Sequence, residues 1–516
     1  MKESVFDKIL DSKRQAGALM SYAYTSAQVV VNLIYVPMLL GVIGKSEYGL
    51  FQMIGSIISY LNVINTTLAA GATRYYCKYY AVNNTDGMAN TLGTLKRIYR
   101  YAGALCLITA GVLSVVLRFV YAKSLNSWEL TEGSLLVLVL AINLIVTMNN
   151  TISIAVISAH EEFAFLKGTM LLTVVIQPFL VLLLVKYYPF ALTVCLVQLA
   201  LNTLCRTVQH TYAERQLGMD SRLRWRDAEL ERGLLKFSGG IVLAAVADQI
   251  FWKADQLILG YMYGTQVVAV YAVGAQIITA YSPLGTAVSS VFMPRVSEMW
   301  HRDHNLDDIT ELFIRVSRIA LYPLLAVLTG FAVFGNEFIT LWAGEGFTDA
   351  YWVALLVMIP FTIDVSQNIG LTILQVMNLY SFRAKMYVLA ACGNIILTIA
   401  LVSRYGCIGA AASSGVAMAI SSGLVLNIYY TKIVGLDMVE WWKSIVRETI
   451  PLIVLCIASI FIWHRHPIDS VYGLIVSMII YAVLFCLTAW NLSASTTERK
   501  MIASIARRLK KSAIQK

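Results

Sequence analysis

Three ionisable residues, Asp248, Lys253 and Asp255, stand inside an otherwise apolar run, residues 237–262, FSGGIVLAAVADQIFWKADQLILGYM. About 20 apolar residues suffice for a helix to cross a bilayer, and this run is long enough. Each charge at bilayer depth costs on the order of 3 kcal/mol, so a passive anchor would not retain three. Such groups either pair across helices or line a polar chamber, where a carboxylate exchanges a proton or holds a cation and an ammonium attracts an anion. Asp248 and Asp255 are seven residues apart and share a helix face, whereas Lys253 lies off that face and needs a partner on another helix. A further acid, Asp364, lies in MIPFTIDVSQNIG, residues 358–370. Pro360 cannot donate to the Leu356 carbonyl, which predicts a bend four residues before Asp364. With Ser366, Gln367 and Asn368 close by and Asn394 in the next apolar run, that bend could bind Na+ or carry H+. Asp248, Asp255, Asp364 and Asn394 are therefore the ion-coupling candidates. For each the structural alternative is an ion pair or hydrogen bond that locks two helices together.

The elements that must position these residues are membrane helices. The chain is 58% hydrophobic and 14% charged, against about 45–50% and about 25% for a soluble domain. Fourteen apolar spans are expected, near 16–41, 48–72, 99–121, 133–157, 165–187, 189–211, 237–262, 267–293, 315–342, 350–376, 384–403, 407–431, 448–464 and 470–490. Residues 1–14 are polar and basic and lead straight into the first span, the pattern of an uncleaved signal anchor. The eight cysteines show no CxxC spacing and the six histidines no HExxH, so no metal or cofactor is expected. His464 and His466 share a short loop and fit an interface.

With the N-terminus inside, 33 of the 40 Lys and Arg fall on the inner side, six on the outer side, and Lys253 stands between. This asymmetry places both termini in the cytoplasm. It also accounts for the net charge of +10 through topology and anionic lipid headgroups, with no need of nucleic acid. Residues 497–511 alternate Met501, Ile502, Ile505 and Leu509 with Lys500, Arg507, Lys510 and Lys511, an amphipathic helix suited to the inner leaflet. Leu217 to Trp225 predicts a second interfacial segment.

An internal repeat sets the architecture. LLGVIGKSEYGLF (39–51) and the following span, which runs to GATRYY (71–76), match LILGYMYGTQVVAVY (257–271) and the span running to FMPRVSEM (292–299), at an offset of about 220 residues. Six spans separate the copies, so both face the same way, a parallel repeat. The expected fold is an all-α polytopic membrane protein of about 14 transmembrane helices: two six-helix lobes around a central cavity, plus two extra C-terminal helices. The lobes are residues 1–211 and 237–431, joined by a cytoplasmic connector at 212–236. The additional helices occupy 432–490 and a basic tail 491–516.

The run Gly44-Lys45-Ser46-Glu47-Tyr48-Gly49-Leu50-Phe51 resembles the first outer hairpin of the polysaccharide transporter family, in the multidrug/oligosaccharidyl-lipid/polysaccharide exporter superfamily. Leu234-Leu235-Lys236-Phe237, Ala254 to Gly260, and Ala269-Val270-Tyr271 resemble it too, and the layout matches over most of residues 10–490. The resemblance implies a flippase, not an enzyme, that moves a lipid-linked (polyprenyl diphosphate) oligosaccharide across the cytoplasmic membrane by alternating access for surface polysaccharide assembly. Its peptidoglycan-precursor branch carries an Arg-Asp pair in the first span. Here that stretch reads SYAYTSAQVV (21–30), without charge, which favours another glycan.

Such a cargo needs cations for its diphosphate, and the candidates are Arg74, Lys78, Arg206, Lys253 and Arg295. All but Lys253 sit at inner span ends, where positive-inside anchoring is the plainer account. Gln28 and Asn32, on one face of span one with Tyr22 and Tyr24, could meet sugars, as could Asn62 and Asn65; interhelical hydrogen bonding is the alternative. Two other functions stay open. A cation-coupled multidrug exporter would need a chiefly acidic cavity. A membrane glycosyltransferase or polymerase would need a large outer loop, which none of the connections offers.

Overall fold

The computed structural model describes residues 2–225, 227–290, 292–302, 305–463, 465, 470–495 and 498–499. The expectations for most of the 497–511 tail and for His464 and His466 lie outside them. Among the described residues there is no strand. The helices are α1 Lys2–Ala81, α2 Thr85–Val120, α3 Ser127–Ala159, α4 Phe163–Val185, α5 Ala191–Arg215, α6 Ala228–Tyr263, α7 Thr265–Tyr281, α8 Pro283–Ser290, α9 Met293–Arg302, α10 Leu306–Ala343, α11 Asp349–Ser366, α12 Asn368–Val376, α13 Tyr380–Met418, α14 Leu426–Tyr429, α15 Met438–Trp463 and α16 Val471–Thr488. Wider π turns at Ala419–Val425 and Tyr430–Val434 flank α14.

Among the described residues twelve helical stretches are long and apolar enough to cross a membrane. Two of them, Gln15–Ala81 and Tyr380–Val434, run for 67 and 55 residues. At about 1.5 Å per residue each far exceeds one bilayer. Both reverse at a glycine in a conformation closed to other residues: Gly44 (φ 81°, ψ 173°) and Gly406 (φ 54°, ψ −133°). Each long stretch is therefore two crossings, and the fourteen expected spans are accounted for. Gly264, the counterpart of Gly44 in the repeat, has nearly the same backbone (φ 78°, ψ −173°).

The helix starts follow local chemistry. Asn84 Oδ1 accepts from Gly87 N at 2.8 Å to begin α2. Asp227 Oδ1 accepts from Glu229 N and Leu230 N to begin α6. Glu129 completes a capping box on Asn126 at the start of α3. These side chains satisfy N–H groups that a first helical turn leaves bare.

Two compact units divide the chain: residues 1–272 with 398–407, and residues 273–397 with 408–516. In the first, α1 packs on α3, α4 and α6, and α3 packs on α2 and α5. Hydrogen bonds cross these interfaces: Thr151 to Asn65 (3.1 Å), Asn202 to Asn143 (2.9 Å), and Asn150 to Gln209 (2.8 Å). Near the hairpin ends one carboxylate gathers several helices. Glu129 Oε1 accepts from Ser46 Oγ (2.5 Å) and Thr265 Oγ1 (2.8 Å), while Oε2 accepts from Asn126 N (2.8 Å). Glu47 and Glu132 accept from Ala191 N and Leu192 N, the first N–H groups of α5. Gly49 lies so close to the Thr265 backbone that any Cβ there would overlap it.

In the second unit α10 packs on α8, α11, α15 and α16. Arg318 of α10 grips Glu498 with two nitrogens, Nε at 2.8 Å and Nη2 at 3.0 Å, donates to Ser444 Oγ at 3.0 Å, and also pairs with buried Glu448. Burial disfavours charge on Glu498, yet the Arg318 guanidinium and the Ser495 N–H hold its carboxyl below the usual value.

Residues 217–225, expected to be interfacial, form an irregular strap with Trp225 N donating to Asn90 Oδ1 and Arg224 paired with Asp86. Two expectations are corrected. The eighth span is broken after Tyr281 by Ser282-Pro283, because proline cannot continue the hydrogen-bond ladder, and α9 follows it. The tenth span, expected over 350–376, is broken at Gln367: α11 runs through Pro360 and stops at Ser366, and α12 follows. The Leu356 carbonyl faces Gly415, whose missing side chain lets α13 approach.

Gly49→Ala should force the hairpin away from Thr265 and lower the thermal midpoint in detergent; an unchanged midpoint would show that the approach has slack. Arg318→Ala strands two carboxylates and should cost about 3 kcal/mol or more, the penalty of breaking a buried ion pair. Because the folded Glu498 carboxyl titrates low, its share of stability is present at neutral pH and is lost as pH falls through that lowered value. Unfolding midpoints measured from neutral pH downward check this, and the Arg318→Ala protein should lose that dependence.

Candidate functional site

Asp255 is 1% exposed, deep in the first unit. A buried carboxylate needs donors. Tyr271 OH of α7 donates to Oδ2 at 2.6 Å and Thr398 Oγ1 of α13 donates to Oδ1 at 2.9 Å. The next residue, Gln256, accepts from Ser56 Oγ of α1 at 2.5 Å. Two successive residues of α6 are thus tied to three other helices. The arrangement can hold a small cation or a proton among oxygens, and it can equally serve as a clasp.

Asp248 and Lys253 are in a different setting. Both are half-buried. Gln249 Nε2 donates to Asp248 Oδ2 at 3.2 Å. Among the described residues the charge that acts on Lys253 is Asp248 of its own helix. Among the described residues Lys253 makes no hydrogen bond or ion pair. Its ammonium is a half-buried donor with capacity to spare.

The cations at the span ends are scattered. Arg74 and Lys78 lie one helical turn apart on α1 and both are exposed. Arg74 stacks 4.8 Å from the Phe237 ring centre and Lys78 lies 5.7 Å from that of Tyr79. Arg206 is half-buried on α5. Arg295, in the second unit, pairs with Glu298 at 3.0 Å and is exposed. Gln28 is exposed and Asn32 half-buried on α1. Asn62 accepts from Asn65, which accepts from Thr151, so these two amides join helices.

In the second unit Asp364 lies three residues before the Gln367 break and acts electrostatically on Arg383 of α13 and Tyr430. Arg383 was legible only as one more loop cation, and Tyr430 as one more aromatic. Gln367 is 1% exposed, and neither its Nε2 nor its Oε1 has a partner among the described residues. Asn394 is fully buried and donates to Ser414 Oγ at 3.0 Å. The structure therefore links Asp364 to Arg383, and Asn394 to Ser414. Among the described residues no cluster of His, Cys, Asp and Glu could hold a metal ion.

Residues 42–351 match the family model described as polysaccharide biosynthesis protein. Two curated relatives from Haloferax volcanii are each 22% identical: the probable flippase AglR over 247 residues (48% of this chain, 51% of that protein), and the probable low-salt glycan biosynthesis flippase Agl15 over 202 residues (39% and 42%). The chain thus spans about half the length of the curated relatives it matches. Among solved structures, the fold is similar to that of lipid II flippase MurJ in an inward closed conformation (TM-score 0.74, 13% identity, 94% of this chain and 100% of that one). It is also similar to an inward-facing multidrug resistance MATE family transporter of the MOP superfamily (TM-score 0.63, 12% identity, 77% and 92%). At these identities the likeness to both concerns the fold alone.

Asp255→Ala leaves two buried hydroxyls without their acceptor and should cost about 1–3 kcal/mol. Thermal unfolding in detergent measures this. A midpoint equal to wild type would mean that Tyr271 and Thr398 find other acceptors and that the clasp is dispensable.

Proposed function

This chain belongs to the polysaccharide biosynthesis protein family, and from that premise we propose that it is a flippase carrying a polyprenyl diphosphate-linked oligosaccharide from the inner to the outer leaflet. The observation that carries this reading is Lys253, a half-buried ammonium in an apolar helix with no hydrogen bond among the described residues. A diphosphate that leaves water must exchange its hydration for cationic donors, and Lys253 is such a donor at membrane depth. Arg74, Lys78, Arg206 and Arg295 would capture the headgroup first, at the basic ends of the spans. Gln28 and Asn32 would meet the sugars. Both termini are cytoplasmic in this scheme, the membrane is the cytoplasmic one, and the lobes at 1–211 and 237–431 rock against each other.

Coupling falls to Asp255. Protonating it, or placing Na+ among its oxygens, changes its hold on the Tyr271 and Thr398 hydroxyls. That alters the ties between α6, α7 and α13 at one point. Asp248 would set the field around Lys253, while Asp364 and Asn394 would act within the second unit. The curated relatives' names, both flippases, support the same reading. The multidrug exporter alternative would need a half-buried acid free of a neighbouring cation, whereas here Asp248 and Lys253 act on one another.

The test is reconstitution in liposomes with a fluorescent polyprenyl diphosphate oligosaccharide and a quencher outside. Protein-dependent flipping is expected. Lys253→Ala should slow it about tenfold or more, the effect of losing a charge-assisted contact of ~1.5–3 kcal/mol, while Lys253→Arg retains much of it. Flipping that ignores Lys253 would remove it from the site. No flipping, together with transport of organic cations, would move the chain to the exporter class.

A further inference from the structure

Two acids tie the first hairpin to the rest of the first unit. Glu47, three residues past the Gly44 reversal, accepts from Ala191 N through Oε2 at 2.9 Å. Glu132 of α3 accepts from Leu192 N through Oε1 at 3.0 Å. Ala191 and Leu192 open α5, and the bare N–H groups of a first helical turn point the same way. The two carboxyl groups are therefore side by side, within hydrogen-bonding reach of one another. Glu47 is half-buried, whereas Glu132 is only 3% exposed. Glu132 Oε2 is buried and has no hydrogen-bond partner among the described residues.

Two ionised carboxylates have only acceptors to offer each other. Their like charges also repel where water is scarce, and such a pair keeps one proton between them. That proton makes a charge-assisted O–H···O bond and supplies the buried Glu132 carboxyl with the donor it lacks. The groups around the pair come from several helices. Cys195 of α5 lies beside Glu132, and Tyr35 of α1 lies beside Cys195 and Tyr48. Glu129, the third acid, already takes Ser46, Thr265 and Asn126 N, and its charge also acts on Glu47. Of the cations at this end of the unit, Arg118 of α2 donates to Ser134 Oγ at 3.3 Å, Lys45 has its own partner, and Lys123 and Lys186 are exposed. Burial, with Glu132 and Glu129 beside it, lifts the Glu47 carboxyl to about 7 against the pull of the Ala191 N–H.

We propose that Glu47 and Glu132 form a proton-binding pair that fastens the first hairpin to α3 and α5, so that the pH on that hairpin's side of the membrane sets how firmly it is held. With one proton shared, the two carboxyl groups bond to each other and each keeps its α5 N–H. When the proton leaves to water, two charges stand together at one helix end and the hairpin loosens. The positive end of α5 tempers that repulsion. The folded carboxyl binds its proton more tightly than the unfolded one, so the stability it contributes is full at acid pH and is lost as pH rises through about 7. The pair is separate from the coupling role given to Asp255. It does not rest on the flippase reading, which supplies only the outer face as its location.

Infrared difference spectroscopy on the full chain in nanodiscs reads the proton. The C=O stretch of a protonated carboxyl is expected at pH 6 and should be lost by pH 8 in wild type, a change that Glu47→Gln should lack. Hydrogen exchange reads the fastening. Protection of residues 44–52 and 191–195, measured against the unfolded chain at the same pH, should fall about tenfold from pH 6 to pH 8 and level off above, as linkage requires of a carboxyl moved from 4.5 to about 7. The Glu47→Gln amide donates to Glu132 and still accepts from Ala191 N, so this variant should hold the hairpin at pH 8 as tightly as wild type does at pH 6. Glu132→Gln removes the sharing partner and should move the fall to lower pH, which gives a second reading where the first variant does not fold. A fall in protection that survives Glu47→Gln, one left unmoved by Glu132→Gln, or wild-type protection that is the same at pH 6 and pH 8 would each overturn the proposal.

Discussion

Inside hydrocarbon a polar group has no water to turn to, so each one the chain buries must find its partner within the protein. Asp255 takes hydroxyl donors from Tyr271 and Thr398, and Glu129 takes Ser46, Thr265 and a backbone N–H. Arg318 gathers Glu448, Glu498 and Ser444. Breaking one of these sets would leave a desolvated charge or dipole, which costs more than the contact itself contributes. Gln367, whose buried amide has no partner among the described residues, departs from this pattern, and so does Lys253, which is half-buried and without a hydrogen bond among them, unlike its neighbour Asp255, whose two oxygens each accept a hydroxyl.

The hairpin glycines show how a repeat can survive when little of its sequence does. Gly44 and Gly264 share a backbone conformation that a side chain would strain. Gly49 then lets the segment after the first hairpin press onto Thr265, the residue after the second. Both meet at Glu129, which adds a third element through its own cap. Backbone conformation and one carboxylate therefore hold together what the surrounding apolar residues, interchangeable in lipid contact, do not specify.

Much of this architecture was legible in the sequence. Span length follows from bilayer thickness and the hairpins from glycine, so the fourteen crossings and the offset of the repeat could be read directly. The long-range partners could not. Thr398 is 143 residues from Asp255, and nothing in either segment names the other. Arg383 reads as an ordinary inner-loop cation until α13 carries it to Asp364. The span expected to run to residue 376 breaks at Gln367, a position that no proline or glycine marks, while the Leu356 carbonyl that Pro360 leaves bare faces Gly415.

The grip of Arg318 on Glu498 also has a meaning in time. The two residues are 180 positions apart. A ribosome that adds about 5–20 residues per second reaches Glu498 roughly 9–36 s after Arg318. Glu448 comes only 130 residues after Arg318, so for most of that interval the arginine has neither carboxylate. The pairing of Arg318 with Glu498 can therefore form only after nearly the whole of the second unit has been made.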